Sequence, residues 1–231
     1  MIFATSLVFY SCNKENVVTP QNVPTHGEYD IELLPGQTFQ GTWYYKSNGS
    51  PITGTLTDIN NVSWLNLTHA DFTAGDCSNL GYVLFNFTAP ATAGNYNTIV
   101  KHSNTENFNM KVNLTVTDNP STNIQDSSFT MHVGDTLRIN YDITYIGITV
   151  PSLCSNYFIP SNTQNISFNL FPTVNWLVIQ PNNYSLGLNQ TLNYTKTFTF
   201  NSSGTYTTME VKTLQWRSWP RFTKWTVVVT P

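Results

Sequence analysis

The chain has 231 residues and a formal net charge of -3, long enough for one or two domains and without the basic balance that phosphate binding needs, so a nucleic-acid partner is excluded. Charged residues are only 10%, against 40% hydrophobic and 14% aromatic. That much apolar area can be buried, so the chain is not a disordered one, and its abundant Thr, Tyr and Val favour strands over helices.

In chain order, residues 1–11 come first as an apolar leader containing Ile2, Phe3, Leu7, Val8 and Phe9 and ending in Ser11. Cys12 follows, and the chain turns polar at Asn13-Lys14-Glu15-Asn16. A run this short cannot span a bilayer and reads as a secretion signal. The Ser11-Cys12 junction resembles a bacterial lipobox, and the polar stretch after it is similar to lipoproteins of the Bacteroidota. The resemblance implies that Cys12 becomes the acylated N-terminus and that the membrane is a partner through this lipid anchor. It places the chain at the outer membrane or cell surface, or outside the cell if it is part of a filament. Several acyl chains on one cysteine hold firmly, at roughly 0.8 kcal/mol per buried CH₂. Residues 12–27 would then be the acylated cysteine and a tether. The other reading is a plain secretory signal or a buried N-terminal strand, with Cys12 a small apolar residue.

Seven β-like runs follow: 29–34, 37–45, 54–57, 65–68, 82–89, 94–102 and 108–117, separated by Gly, Asn, Pro and Asp clusters. Tyr82 to Phe87 alternates with period two, no segment has a helical period, and seven short strands per hundred residues is the pattern of an immunoglobulin-like sandwich. Asn119-Pro120-Ser121 marks a linker, after which the same landmarks return. Gly36-x-Thr38-Phe39 recurs as Gly134-x-Thr136-Leu137, Val62-Ser63-Trp64-Leu65 as Val174-Asn175-Trp176-Leu177, and Gly94-Asn95-Tyr96 as Gly204-Thr205-Tyr206. A repeat of about a hundred residues is one compact domain rather than a solenoid unit. The predicted fold is therefore all-β, two tandem immunoglobulin-like β-sandwich domains (28–118 and 123–231) after a short lipoprotein-type leader, with Trp64 and Trp176 in the cores.

Cys77 and Cys154 sit at different places in the two copies, so they form either a disulfide across the domains or two isolated thiols. The second copy carries an insertion over 146–163, read as a long loop or an extra hairpin. Its last hairpin ends in Trp216-Arg217-Ser218-Trp219-Pro220-Arg221-Phe222, about two residues longer than its counterpart and far more aromatic. Trp216, Arg217, Trp219, Arg221 and Phe222 are the candidate ligand or partner contacts. Flat aromatics at a loop tip suit sugar rings, Trp and Arg suit a protein interface or a neighbouring subunit, and alternate residues could instead pack inward. No nucleophile, phosphate-loop or metal-ligand motif occurs, His69 and Asp71 read as solvated surface, and no catalytic residue, metal or cofactor is expected.

The order Trp-Leu, alternating strand, Gly-x-Tyr and a final Val-x-Val-Thr strand resembles the BACON and BACON-like domains. The residues are Trp64-Leu65, Gly94-Asn95-Tyr96, Ile99 and Leu114 to Thr117 in the first copy, and Trp176-Leu177, Gly204-Thr205-Tyr206, Val211 and Val227 to Thr230 in the second. The resemblance implies immunoglobulin-like sandwiches of Bacteroidota surface proteins, with carbohydrate or mucin binding. The expectation is a non-enzymatic surface or extracellular lipoprotein acting as a binding or adhesion module, for glycans or a protein partner. The alternative is a structural subunit of a surface filament or adhesin stalk that self-assembles through its sandwiches.

Overall fold

A computed structural model describes residues 21–22, 26–46, 55–71, 80–102, 105–149, 157–158 and 161–231. The leader 1–11, Cys12, most of the tether, Cys77 and Cys154 lie outside the described residues, and with them the lipid anchor and the question of a disulfide. Every regular element among the described residues is a strand, and no helix is long and apolar enough to cross a membrane.

The first copy contains β1 (Gln21–Asn22), β2 (His26–Leu33), β3 (Thr38–Lys46), β4 (Leu56–Asp58), β5 (Leu65–Asp71), β6 (Leu80–Thr88), β7 (Gly94–His102) and β8 (Thr105–Val116). They form two sheets, ordered β1-β3-β6-β5 and β2-β8-β7-β4. The second copy contains β9 (Ile124–His132), β10 (Thr136–Thr144), β11 (Ile148–Thr149), β12 (Tyr157–Phe158), β13 (Thr163–Phe171), β14 (Leu177–Gln180), β15 (Asn183–Gly187), β16 (Thr191–Thr199), β17 (Gly204–Leu214) and β18 (Arg221–Thr230). Its sheets are ordered β10-β16-β14 and β15-β13-β17-β18-β9. Within the insertion, β11 and β12 pair as a small antiparallel hairpin.

The two copies share one topology. Apart from the added strands β1 in the first and β11, β12 and β15 in the second, the strand that opens each sandwich runs parallel to the last (β2 with β8, β9 with β18), while the next pairs antiparallel with the strand two before the last (β3 with β6, β10 with β16). This is the two-sheet immunoglobulin-like arrangement. The repeated sequence landmarks fall at its corners. Gly36 and Gly134 take φ of 72° and 87° in the turn before β3 and before β10, a left-handed conformation open to glycine at little steric cost. Trp64 and Trp176 are buried, and each gives its carbonyl to a backbone N–H at the end of the neighbouring strand, from Thr88 and from Thr199, at 2.9 Å. Tyr96 and Tyr206 each donate their hydroxyl to the carbonyl four residues upstream, Thr92 at 2.9 Å and Ser202 at 3.0 Å, a tyrosine corner in both domains.

Period-two alternation fills the cores. Val83, Phe85 and Phe87 on β6 face Tyr29, Trp64 and Val112 in the first, and Tyr194, Phe198 and Phe200 face Trp176, Trp225 and Val227 in the second. One residue breaks the apolar row: Lys196 on β16 points inward, buried, and pairs with buried Glu210 on β17 at 2.6 Å.

Candidate functional site

The hairpin between β17 and β18 is the most aromatic turn of the chain, and its surroundings follow from how its backbone is held. Beyond Leu214 the chain stays attached to β13: Gln215 donates its N–H to the Asn165 carbonyl at 2.9 Å, and its own carbonyl accepts from the Gln164 amide at 3.0 Å. Trp216 then turns through a left-handed backbone, φ 69°, which for an L side chain costs roughly 1–2 kcal/mol. The compensation comes from its partners. Its indole N–H donates to the Thr163 carbonyl at 3.2 Å, and its carbonyl accepts the Tyr44 hydroxyl at 2.9 Å.

Tyr44 belongs to the first domain, and so do the next partners. Thr42 donates its N–H to the Arg217 carbonyl at 3.0 Å, and the Ser218 hydroxyl donates back to the Thr42 carbonyl at 2.7 Å. Tyr29 donates its hydroxyl to the Ser218 carbonyl through a short hydrogen bond. The Trp219 indole donates to the Asp30 carbonyl at 2.8 Å, and its ring stacks on Tyr29 at 6.4 Å with 5° between planes. Tyr82 meets Trp216 edge-on at 5.3 Å. Gly41 makes this seat possible, because a Cβ at that position would overlap the Tyr29 hydroxyl. Burial raises the Tyr29 and Tyr44 hydroxyls above the ordinary tyrosine range, so both stay protonated donors.

Two further fastenings lie beside the tip. Leu34 of the first domain packs in one apolar cluster with Met209, Val211 and Phe222 of the second. In the linker, the Glu32 carboxylate accepts the N–H and hydroxyl of Ser121 and of Thr122 at 2.7–2.8 Å. Partial burial opposes ionisation of Glu32, but these four hydrogen bonds outweigh it and hold the carboxyl below its usual range.

The five candidate residues are thus brought together but do not all face outward. Trp216 is 6% exposed and Phe222 2%, so neither ring is presented at the surface; both pack inward, where the first domain and the linker side meet them. Trp219 is 40% exposed, with one face on Tyr29, and Arg217 and Arg221 are half-buried. Lys212, paired across the hairpin with Arg221, is pushed down to about 8 by burial and by the positive charges of Arg221 and Lys196. Thr98 pairs with Val112 and Thr208 with Trp225, so the second hairpin is longer than the first by three residues rather than about two. No group of His, Cys, Asp and Glu able to hold a metal occurs among the described residues.

No protein-family model matches the chain, and no curated protein matches it. Among solved structures it is similar to the D00-D0 domain of intimin, at 12% identity over 91% of this chain and 98% of that one, with a TM-score of 0.27. It is also similar to an endo-fucoidan hydrolase of glycoside hydrolase family 107, at 16% identity over 87% of this chain and 33% of that one, TM-score 0.27. A third likeness is to SGBP-B of the Bacteroides ovatus mixed-linkage glucan utilization locus, in complex with mixed-linkage heptasaccharide, at 14% identity over 91% and 46% of the two chains, TM-score 0.29. The chain therefore spans about a third of the hydrolase and under half of SGBP-B, and at these identities and scores none of the three establishes a family.

Sequence reasoning missed the receiving surface, made of Tyr29, Gly41, Thr42 and Tyr44. A signal for it existed in the repeat. Aligned through strand register, Tyr29 corresponds to Ser127 and Gly41 to Ile139, so the first copy carries a large ring and a missing side chain where the second carries neither. The Lys196–Glu210 pair was also missed; the corresponding residues of the first copy are Phe85 and Val100.

Proposed function

We propose that the chain is a non-enzymatic module of a cell-surface or extracellular lipoprotein, a binding or adhesion unit for glycans or a protein partner, held to the outer membrane by acylated Cys12. One observation carries this reading. The hairpin tip of the second domain is fastened to the first by five hydrogen bonds and an aromatic stack, which sets two immunoglobulin-like domains in a fixed relation. A stiff tandem of small sandwiches is what display at a surface calls for, and the paired Trp-Leu and Gly-x-Tyr landmarks favour a BACON-like assignment for both. On this reading the ligand or partner meets the exposed part of Trp219 with Arg217 and Arg221, while Trp216 and Phe222 support the tip from beneath.

The test is a glycan array probed with the wild-type chain and with Trp219→Ala. The reading expects one class of glycan to be retained by the first and lost by the second, with the fold of both intact by circular dichroism. An empty array with a folded wild-type protein rejects the sugar arm. Mass spectrometry of membrane fractions from wild type and Cys12→Ala tests the anchor: equal masses at the N-terminal peptide, apart from the substitution, would refute it. The structural-subunit alternative, in a filament or adhesin stalk, is favoured by one specific feature, the outer edge of β10 in the second domain, on which no strand lies among the described residues.

A further inference from the structure

We infer that the outer edge of β10 pairs with β10 of a second copy of this chain, antiparallel, about a two-fold axis through Asn140. This does not depend on the lipid anchor or on glycan binding.

The edge is open on one side only. β10 pairs with β16 over nine residues without a register shift, and among the described residues no strand lies on its other side. Just past its end, Tyr145 both donates to Gln190 at 3.0 Å and accepts from Asn189 at 2.6 Å. Backbone groups alternate in direction along a strand, so odd-numbered residues face β16 and those of Thr136, Arg138, Asn140, Asp142 and Thr144 face outward. The first domain gives an independent check. There Thr42, the register equivalent of Asn140, directs its N–H and carbonyl to the hairpin tip at Arg217 and Ser218, and β1 pairs with the end of the same strand. The chain thus closes the β3 edge itself. Among the described residues there is no equivalent closure for β10, where Ser127, Ile139 and Asp142 replace Tyr29, Gly41 and Tyr44 and leave no seat for such a tip.

The usual defences of an edge are missing. β10 has no proline, bulge or inward charge. Its inward row, Leu137, Ile139, Tyr141 and Ile143, is only half-buried, whereas Phe39, Gly41 and Trp43 in the first domain are buried. A strand added alongside would cover that row.

Charge selects the occupant and the register. Arg138 and Asp142 are exposed and lie two residues on either side of Asn140. With the axis through Asn140, Arg138 of each copy stands opposite Asp142 of the other, Thr136 opposite Thr144, and Leu137 opposite Ile143. All outward-facing backbone groups then meet as hydrogen-bonded pairs. An axis through Arg138 or Asp142 sets like charges against each other, and an axis through Ile139 or Tyr141 leaves both charges unmatched. Opposite charges directly across a ladder stabilise it and like charges weaken it.

Sedimentation velocity of the purified chain over a concentration series tests this, with Arg138→Asp, Asp142→Arg and the double variant. Wild type is expected to dimerise reversibly. Each single reversal turns two attractive pairs into two repulsive ones and should weaken the dimer by about tenfold or more. The double variant restores both pairs and should recover wild-type affinity. Hydrogen exchange at high against low concentration should slow the amides of Arg138, Asn140 and Asp142 and leave those of Ile139 and Tyr141 unchanged. A monomer at every concentration, a dimer indifferent to the single reversals, or no recovery in the double variant would each overturn the inference.

Discussion

Changing Glu210 to Gln isolates a buried lysine and tests how the second core tolerates charge. Lys196 Nζ lies 2.6 Å from Glu210 Oε2, with both side chains almost fully buried. The ammonium sits over the rings of Tyr141 at 4.6 Å and Trp225 at 4.8 Å, and the Trp225 indole donates to the same carboxylate oxygen at 2.8 Å. Burial pulls Lys196 below the ordinary lysine value, and Glu210 pulls it back up. Without the carboxylate, Lys196 either stays charged and unpaired or folds neutral. The second route sets a ceiling: at pH 7 it costs roughly 4.6 kcal/mol, from about 1.36 kcal/mol for each pH unit below the reference lysine value of about 10.4. Breaking one side of a buried pair typically costs about 3–5 kcal/mol, so Glu210→Gln should lose about 3–4.6 kcal/mol. Urea denaturation followed by tryptophan fluorescence would measure it. The pH dependence carries the mechanism. If folded Lys196 is neutral while the unfolded chain still binds the proton, stability must rise with pH, by up to about 1.4 kcal/mol per unit between pH 7 and the unfolded lysine value. Adding Lys196→Met removes the charge, and the introduced amide oxygen can still accept from Trp225, so the double variant should return to within about 1 kcal/mol of wild type. A single-variant loss under about 1 kcal/mol, or a loss that does not shrink as pH rises, would refute this account.

Gly41→Ala drives a Cβ into the Tyr29 hydroxyl, so the tip should unseat at a cost of about 1–3 kcal/mol, read as faster proteolysis at Arg217 and Arg221; an unchanged cleavage rate would count against the seat. Tyr44→Phe leaves the Trp216 carbonyl without its buried donor and should cost about 1–3 kcal/mol in urea denaturation, with the first-domain core otherwise intact. Glu32 titrates below its ordinary value because Ser121 and Thr122 donate to its ionised form. Its fastening of the linker is therefore present above about pH 4.3, the unfolded value, and is lost as pH falls through the lower folded value. The Ser121 and Thr122 amide resonances should report that midpoint, and one at or above about 4.3 would contradict the hydrogen-bonding account.

What could be read from the sequence divides along a physical line. Strand existence depends on local alternation and on turn residues, so the seven runs of the first copy and the repeat landmarks gave the sandwich and its duplication nearly strand for strand. Even Lys196 was readable in principle, since the row Lys196-x-Phe198-x-Phe200 puts it on the same face as two core rings. The environment of the tip was not readable in this way. Trp216 has the same local sequence whether it faces water, a sugar or another domain, and its surroundings include the Tyr44 hydroxyl on its carbonyl and the Tyr82 ring edge-on to its own, both more than 130 residues earlier. Nothing local to the hairpin encodes that contact. The difference between the copies does encode it, because two domains of one topology should differ least where only the fold constrains them. Tyr29, Gly41 and Tyr44 against Ser127, Ile139 and Asp142 is a change at three positions on one side of the sandwich. In the first copy those three close a strand edge with the chain's own hairpin. In the second they leave the edge without a partner strand among the described residues and set Asp142 two residues from Asn140, opposite in sign to Arg138 on the other side. One substitution pattern thus underlies both the docking of the tip on the first domain and the proposed pairing of β10 with a second copy.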